Sequence, residues 1–468
     1  MPASTKPLFK RTKVSLGPDD HLPPGPRLPA FLQTALLWTT RPRFLTALQR
    51  RYGQTFTLRD LMAGRIVVLT DPLDVKAVFT GSPDVFLAGE GNAILAPLVG
   101  DHSVLLLDRA EHLRERKLQL PAFHGERIAA TIGTMREVTE AEVRSWPIDT
   151  PFGLHARTQA LTLDIIIRVV LGVDDPERAR RLHEALRRAL EFHPSYFLMW
   201  AVPQLQHVGR WKRFLAATAA ADELLFAEIA IRRADPGRSG RPDVLSMLLD
   251  AHDAAGNPVD ERWVRDELMT LLVAGHETTA TGLAWTFERL LRHPDALARV
   301  RAGLGDERDP YVEAVVKESL RVRPVIYNVA RVLSERTRIA GYELPAGTLL
   351  LPSIGLMHMT NAHFPGAAEF RPERWLDGGA DPYTWIPFGG GVRRCLGATF
   401  AMAEMAEVLR TVLREVDLVA VGTADEEQRV HHITLVPSAG TQVLVRRRLE
   451  PADSNLAADG APAPAVPA

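Results

Sequence analysis

Apolar residues recur at helical spacing, with charged residues between them, over Arg43–Tyr52, Arg109–Lys117, Gly125–Trp146, Phe152–Leu171, Pro176–Phe192 and Gln206–Ala234. Each stretch is read as a helix with one face turned to a core. The longest candidate, Val259–Arg292, opens polar, turns apolar at Leu268 and returns to charge at Glu288 and Arg289. A helix apolar on all sides in its middle belongs in the interior of a protein. Pieces with strand character are short and few: Gln54–Leu58, Arg65–Leu69, Thr337–Leu344, Thr348–Ser353 and a C-terminal pair near His432–Val436 and Thr441–Arg446. Leu344-Pro345-Ala346-Gly347 reads as a turn between two of them. The pattern predicts a mainly α fold with a small β portion. The lack of alternating strand and helix argues against a doubly wound parallel sheet.

Both ends break the pattern. Residues 1–22 and 450–468 are rich in Pro, Ala and Gly, bury little surface and are expected to be disordered. Pro23-Pro24-Gly25-Pro26 forms a stiff lead-in to a folded domain expected over 23–449. With 468 residues, 46% of them hydrophobic, the chain can build one large core or several smaller ones. At about 150 residues per domain the length would allow three, yet no stretch reads as a linker and no internal repeat is evident. A net charge of −1 supplies no global field for nucleic acid or an anionic membrane. A single cysteine excludes an intramolecular disulfide and a multi-cysteine zinc site. The N-terminus lacks the apolar core of a secretory signal. Phe31–Trp38 falls short of the roughly 20 residues that span a bilayer. A soluble cytoplasmic protein without a transmembrane segment is expected, with a peripheral membrane contact at Phe31–Trp38 left open.

Candidate chemistry concentrates around that one cysteine. In Phe388-Gly389-Gly390-Gly391-Val392-Arg393-Arg394-Cys395-Leu396-Gly397, three glycines let the backbone approach a flat partner and take up positive φ. The residues that follow Cys395 read as a helix with small residues in its first turns. The cysteine therefore lies at a helix N-terminus, where N–H groups and the dipole favour a thiolate, and a buried thiolate calls for a cation such as iron. A lone cysteine is more often a small buried hydrophobe, on the order of four times in five. A dinucleotide loop would follow an apolar strand, but Pro387 falls where that strand would end. A cysteine nucleophile would need an oriented histidine, and spacing identifies none. From the residues alone, haem ligation is one reading among these.

Phe388, Gly391, Arg393, Cys395 and Gly397 resemble, at every fixed position, the cysteine-ligand loop of the cytochrome P-450 superfamily. The resemblance implies a haem b cofactor with Cys395 as proximal iron ligand, its electron donation favouring O–O cleavage, and Arg393 on a haem propionate. Three further motifs stand in the family's order. Glu318 and Arg321 lie three apart on one helix face; the family buries this pair and joins it to a later arginine, here Arg374 in Phe370-Arg371-Pro372-Glu373-Arg374-Trp375. Ala274-Gly275-His276-Glu277-Thr278-Thr279 interrupts the apolar middle of the long helix. A zinc-protease helix would need a second histidine at position 280, which is Ala280. The resemblance makes Ala274 and Gly275 the oxygen groove, Thr278 a hydrogen-bond donor to dioxygen as it is activated, and Glu277 a relay of protons from solvent. His112 and Arg116 share a helix face, and Arg331 follows Pro324–Ala330; all three match propionate partners. The family fold would cover 23–449 as one mainly α domain.

The chain ends roughly seventy residues beyond Cys395, so a separate ferredoxin and NAD(P)H-dependent ferredoxin reductase are expected to supply electrons. Arg114, Arg116, Lys117, Arg393 and Arg394 would form a basic patch for an acidic partner. The resemblance places pocket walls at Phe86, Leu87, Ile94, Leu95, Leu98, Tyr196, Phe197, Met199, Leu271, Val325, Ile326 and Leu435, residues that could equally be core. No cationic cluster marks a carboxylate anchor, so a lipophilic substrate is expected: a terpenoid, fatty acid or steroid-like molecule that is hydroxylated or otherwise oxidised. A peroxide-driven peroxygenase is the main alternative, against which the Glu277–Thr278 pair argues. A non-catalytic haem sensor or carrier is the other; it has no use for a proton relay.

Overall fold

The computed structural model describes residues 21–123, 125–191, 209–252, 256–307 and 309–449. The terminal tails therefore lie almost wholly outside the described residues, as do Tyr196, Phe197 and Met199 of the expected pocket. The molecule is built around the helix Glu261–Leu291, 31 residues long, which at 1.5 Å per residue runs about 46 Å. Its start is set by Asp260, whose carboxylate accepts from the Arg262 N–H at 2.7 Å, a side-chain cap for an otherwise unpaired donor. From Thr279 to Leu290 every residue is buried, because helices Leu154–Val169, Tyr311–Val322 and Ala398–Glu415 lie against it. Gly282 makes this closeness possible: a Cβ there would sit 3.0 Å from Met405 Cε and 3.6 Å from Leu320 Cδ2.

The helices expected from periodicity are present with small shifts at their ends: Arg41–Tyr52, Arg109–Gln119, Gly125–Arg144, Leu154–Val169, Pro176–Leu190 and Gly209–Ala234. Helices Ala30–Thr39, Pro72–Thr80, Val244–Leu249 and Pro294–Gly303 were not anticipated. Each spans three turns or fewer, too short for a period to stand out. The apolar run Phe31–Trp38 forms the first of them, with Phe31 62% exposed. Among the described residues no helix is long and apolar enough to cross a membrane.

The β portion departs further from expectation. Its main sheet has five strands in the order Thr55–Asp60, Gly64–Leu69, Leu349–Pro352, Arg331–Leu333, Phe86–Leu87, with one parallel pairing, between Gly64–Leu69 and Leu349–Pro352. The single strand expected over Thr337–Leu344 is a hairpin, Thr337–Ile339 against Tyr342–Leu344. Ala340 and Gly341 both take positive φ between the strands, the requirement of a tight two-residue turn. The expected C-terminal pair is not a pair either. Thr434–Pro437 pairs with Gln428–His431, whereas Gln442–Arg448 pairs with Val416–Ala420 and Phe152–Gly153. Alternation identifies a strand but carries no information about which neighbour it meets. The turn at Leu344–Gly347 is present, with Gly347 at φ 80°.

Candidate active site

Cys395 is held by its loop before any helix begins. Its N–H donates to the Phe388 carbonyl at 2.9 Å, and the Arg394 N–H to the Gly391 carbonyl at 3.0 Å. Gly391 has φ +65° and lies on Phe79, at the end of Pro72–Thr80, so closely that a Cβ would collide with the Phe79 backbone. The helix itself starts at Ala398, and the Gly397 N–H is directed at the thiol. Burial pushes the thiol pKa up, against the pull of that N–H, Arg116 and Arg394. Yet the residue is reachable by solvent. A metal cation at this sulfur would convert it to the thiolate.

On one flank of this loop basic groups gather around a single carboxylate. Arg393 donates to Asp108 Oδ1 at 2.6 Å, to the Leu107 carbonyl and to the Val104 carbonyl at 3.3 Å. Arg116 donates to the Arg394 carbonyl at 2.6 Å. Arg331, buried in its strand, donates to the Ala330 carbonyl at 2.7 Å and lies over the Phe79 ring. His112 is 2% exposed, and its Nδ1 has no hydrogen-bond partner among the described residues. Burial, then Arg393, Arg116 and Arg331, hold the His112 imidazole down to about 3. Burial likewise lowers Arg331 and Arg393 to about 10. Three guanidiniums against one aspartate leave an excess of positive charge, and the neutral His112 imidazole beside them lacks a partner at Nδ1. Such a set calls for an anionic group, preferably with two negative charges. The two propionates of an iron protoporphyrin beside a cysteine fit it.

The central helix offers a second polar locus. Ala274 is exposed and Glu277 and Thr278 are half-buried within a helix otherwise mostly buried. The Thr278 hydroxyl donates to the Ala274 carbonyl at 2.5 Å, a back-bond that loosens the local helix. Gly275 has a role the sequence did not indicate: a Cβ there would lie 2.9 Å from Ile166 Cδ1, so glycine lets the helix Leu154–Val169 come close. Glu277 Oε2 accepts from Gln159 Nε2 at 2.7 Å. Its Oε1 lies 3.4 Å from Thr281 Oγ1, 3.6 Å from His431 Nδ1 and 3.8 Å from His155 Nε2. Burial alone would raise this carboxyl; His431, His155, Gln159 and His276 outweigh it and hold it down to about 2.

Below the cysteine loop the Glu318–Arg321 pair is wholly buried. Glu318 accepts from Arg321 twice at 2.8 Å, from Arg374 Nε at 3.0 Å, from Trp375 Nε1 at 2.9 Å and from the Arg371 N–H at 2.8 Å. Arg321 spends its other N–H groups on the carbonyls of His358, Ala367 and Glu369. Two connections reach the cysteine loop from here. His358 Nε2 accepts the Ile386 N–H at 3.0 Å. The rings of Trp375, Trp385 and Phe388 contact one another in sequence.

Of the expected pocket wall, Ile94 and Leu98 pack with Trp211, Phe214 and Val273 of the central helix, and Phe86 and Ile326 keep accessible surface. Leu87 lies in the main sheet opposite Val332. Leu95 and Leu271 are half-buried, and Val325 joins the largest core cluster. Leu435 is corrected from pocket wall to core: it is 0% exposed and packs with Tyr327 and Leu356, and a side chain without accessible surface lines no cavity. The sequence reading missed Asp108, His155, Gln159, His358, Trp375 and His431. Only Trp375 carried a usable signal, standing beside Arg374.

The sequence profile of the cytochrome P450 family matches residues 22–445. Cytochrome P450 135B1 of Mycobacterium tuberculosis is 45% identical over 452 residues, covering 95% of this chain and 96% of its own length. Cytochrome P450 135A1 of the same organism is 41% identical over 433 residues, covering 92% and 96%. The crystal structure of the cytochrome P450DA heme domain superposes with a TM-score of 0.78 at 25% identity, covering 93% of this chain and 99% of that one. The fold and the cysteine loop define a haem-thiolate protein, and the chain belongs to the cytochrome P450 family. It is a haem-dependent monooxygenase.

Proposed function

We propose that residues 23–449 form one catalytic domain that binds haem b and uses dioxygen to hydroxylate, or otherwise oxidise, a lipophilic small molecule. Electrons would come from NAD(P)H through a ferredoxin reductase and a ferredoxin. One oxygen atom enters the substrate and the other leaves as water, with two electrons and two protons supplied. When bound, the haem iron supplies dioxygen binding and electron transfer. The chain's own residues do the rest. Cys395 would ligate the metal, and the loop clamped to Phe79 holds its sulfur in place. His112, Arg116, Arg331 and Arg393 would neutralise the propionates. Thr278 would hold a proton at its Oγ1 in the groove beside Ala274, and Glu277 would replenish it. Phe86, Ile94, Leu98 and Ile326 supply apolar surface, which supports a terpenoid, fatty acid or steroid-like substrate.

The observation that carries this reading is a sulfur both desolvated and accessible beside three guanidiniums that face a single aspartate. The absorption of the reduced, carbon-monoxide-bound, haem-loaded protein tests it. Thiolate ligation gives a strongly red-shifted Soret band, and a band at the position of histidine-ligated haems would overturn the assignment. The peroxygenase alternative is separated by comparing turnover with peroxide alone against ferredoxin, reductase and NAD(P)H. The half-buried Glu277 beside Thr278 supports the dioxygen route. Spectral-shift titration with terpenes, fatty acids and steroids then narrows the substrate class.

A further inference from the structure

Glu277 is fed by residues from two other elements, neither of them part of the groove. His431 ends the strand Gln428–His431, and its side chain is 38% exposed with Nδ1 3.6 Å from Glu277 Oε1. His155 opens the helix Leu154–Val169, is 13% exposed, and has Nε2 3.8 Å from the same oxygen and 3.1 Å from Thr281 Oγ1. Gln159, one turn further along that helix, pins the other carboxylate oxygen at 2.7 Å. We propose that His431, with His155 behind it, is the port through which protons pass from solvent to Glu277 and on to the groove at Thr278. This deepens the relay reading of Glu277 and rests on it.

The chemistry is a proton transfer with no electron moved. His431 passes its Nδ1 proton to Glu277 Oε1 across the 3.6 Å between them while its Nε2 takes a proton from water, so that the ring ends in the other tautomer. Glu277 passes its proton into the groove and returns to carboxylate. A store is needed because Glu277, held down to about 2, is ionised at neutral pH and carries almost no proton of its own. Histidine is the side chain that loads and unloads protons in that range. His431 meets solvent through the rest of its ring, while its Nδ1 is buried on the Glu277 side. His155, lowered by burial, is better suited to share Thr281 and the carboxylate than to meet bulk water. The other titratable and charged groups facing the cluster are His432, whose ring lies 4.0 Å from that of His431, Arg429 on the His431 strand and His276 beside Glu277, with His183 and Asp164 beyond His276. His431 and His155 are positioning residues here, since they touch neither substrate nor cofactor.

The test uses haem-loaded wild type, His431→Gln, His155→Gln/His431→Gln and Glu277→Gln. The first readout is hydrogen peroxide released per NADPH oxidised through a ferredoxin and its reductase, across a pH series and without added organic substrate. Peroxide release in wild type is expected to depend on pH. In His431→Gln it should be raised by on the order of tenfold at the pH where the wild-type value is lowest, and become nearly independent of pH. The second readout is independent of turnover: the Tm of single and double variants of His431 and Glu277. Their effects should be non-additive, with a coupling that differs between about pH 6 and about pH 8.5. If Glu277→Gln raises peroxide release while both histidine variants match wild type and the Tm effects add at both pH values, the port is overturned and the relay stands. If Glu277→Gln itself leaves peroxide release unchanged, the relay reading and the port fall together.

Discussion

Two glutamates on the helices of this molecule are treated in opposite ways. Glu318 is 0% exposed and receives donors from Arg321, Arg374, Trp375 and the Arg371 backbone, all at 2.8–3.0 Å. Glu277 is 24% exposed, with one short donor from Gln159 and its histidines at 3.6 and 3.8 Å. A saturated carboxylate cannot accept or release a proton without dismantling its shell, and so holds structure. A loosely held carboxylate with solvent behind it can exchange protons, which is what the relay proposed for Glu277 requires. Glu267 marks a third condition: it is buried with a hydrogen bond from the Val104 N–H at 3.0 Å, and burial pushes its pKa up to about 8. What separates the three is the number and charge of the donors, since all sit on buried helices.

The comparison breaks first at Glu318. Arg321→Ala should cost about 3–5 kcal/mol, because it leaves a buried carboxylate without its main partner. Thermal melts and haem content of the purified variant should show a large loss of folded, loaded protein. An unchanged Tm would show that the network does not hold the cysteine loop. At the other locus, Glu277→Gln should lower stability less than Arg321→Ala does, because the carboxylate keeps solvent access and has one short donor. It should lower coupled product formation on the order of 100-fold, as measured by product and peroxide per NADPH with whichever lipid gives a spectral shift.

Glu267 sharpens the contrast through pH. Its folded pKa lies above the unfolded carboxyl value, so the folded state holds a proton that the unfolded chain has released. Stability should therefore be full below about pH 4.5 and fall toward pH 8, at a slope on the order of 1 kcal/mol per pH unit. Glu267→Gln removes that slope, and denaturant titrations over the window would reveal it. The smallest effect is expected on the surface. Arg114→Glu with Lys117→Glu should slow reduction by an acidic ferredoxin by about tenfold at low salt, with little difference left at high salt. Stopped-flow reduction rates over an ionic-strength series measure it, and a salt-independent rate in wild type would remove the patch from consideration.

The amino-acid sequence by itself determines which groups share one element at fixed spacing. Cys395 and its glycines form one loop, Glu318 and Arg321 lie one helical turn apart, and Glu277 stands beside Thr278. Local geometry places such residues together whatever the rest of the chain does. The mainly α class and the central helix were legible for the same reason, since a period of 3.6 is a local property. Strand partners were not, and neither was the placing of Leu435, whose pattern suits a pocket as well as a core. Asp108 meeting Arg393, His358 meeting Ile386, and His155 and His431 converging on Glu277 each join segments remote in the chain. No spacing rule links such segments; packing of the helices against Glu261–Leu291 and the pairing of the strands bring them together. The cysteine loop and its motifs name the chemistry. Burial and the company each charged group keeps decide which carboxylate carries structure and which can move a proton.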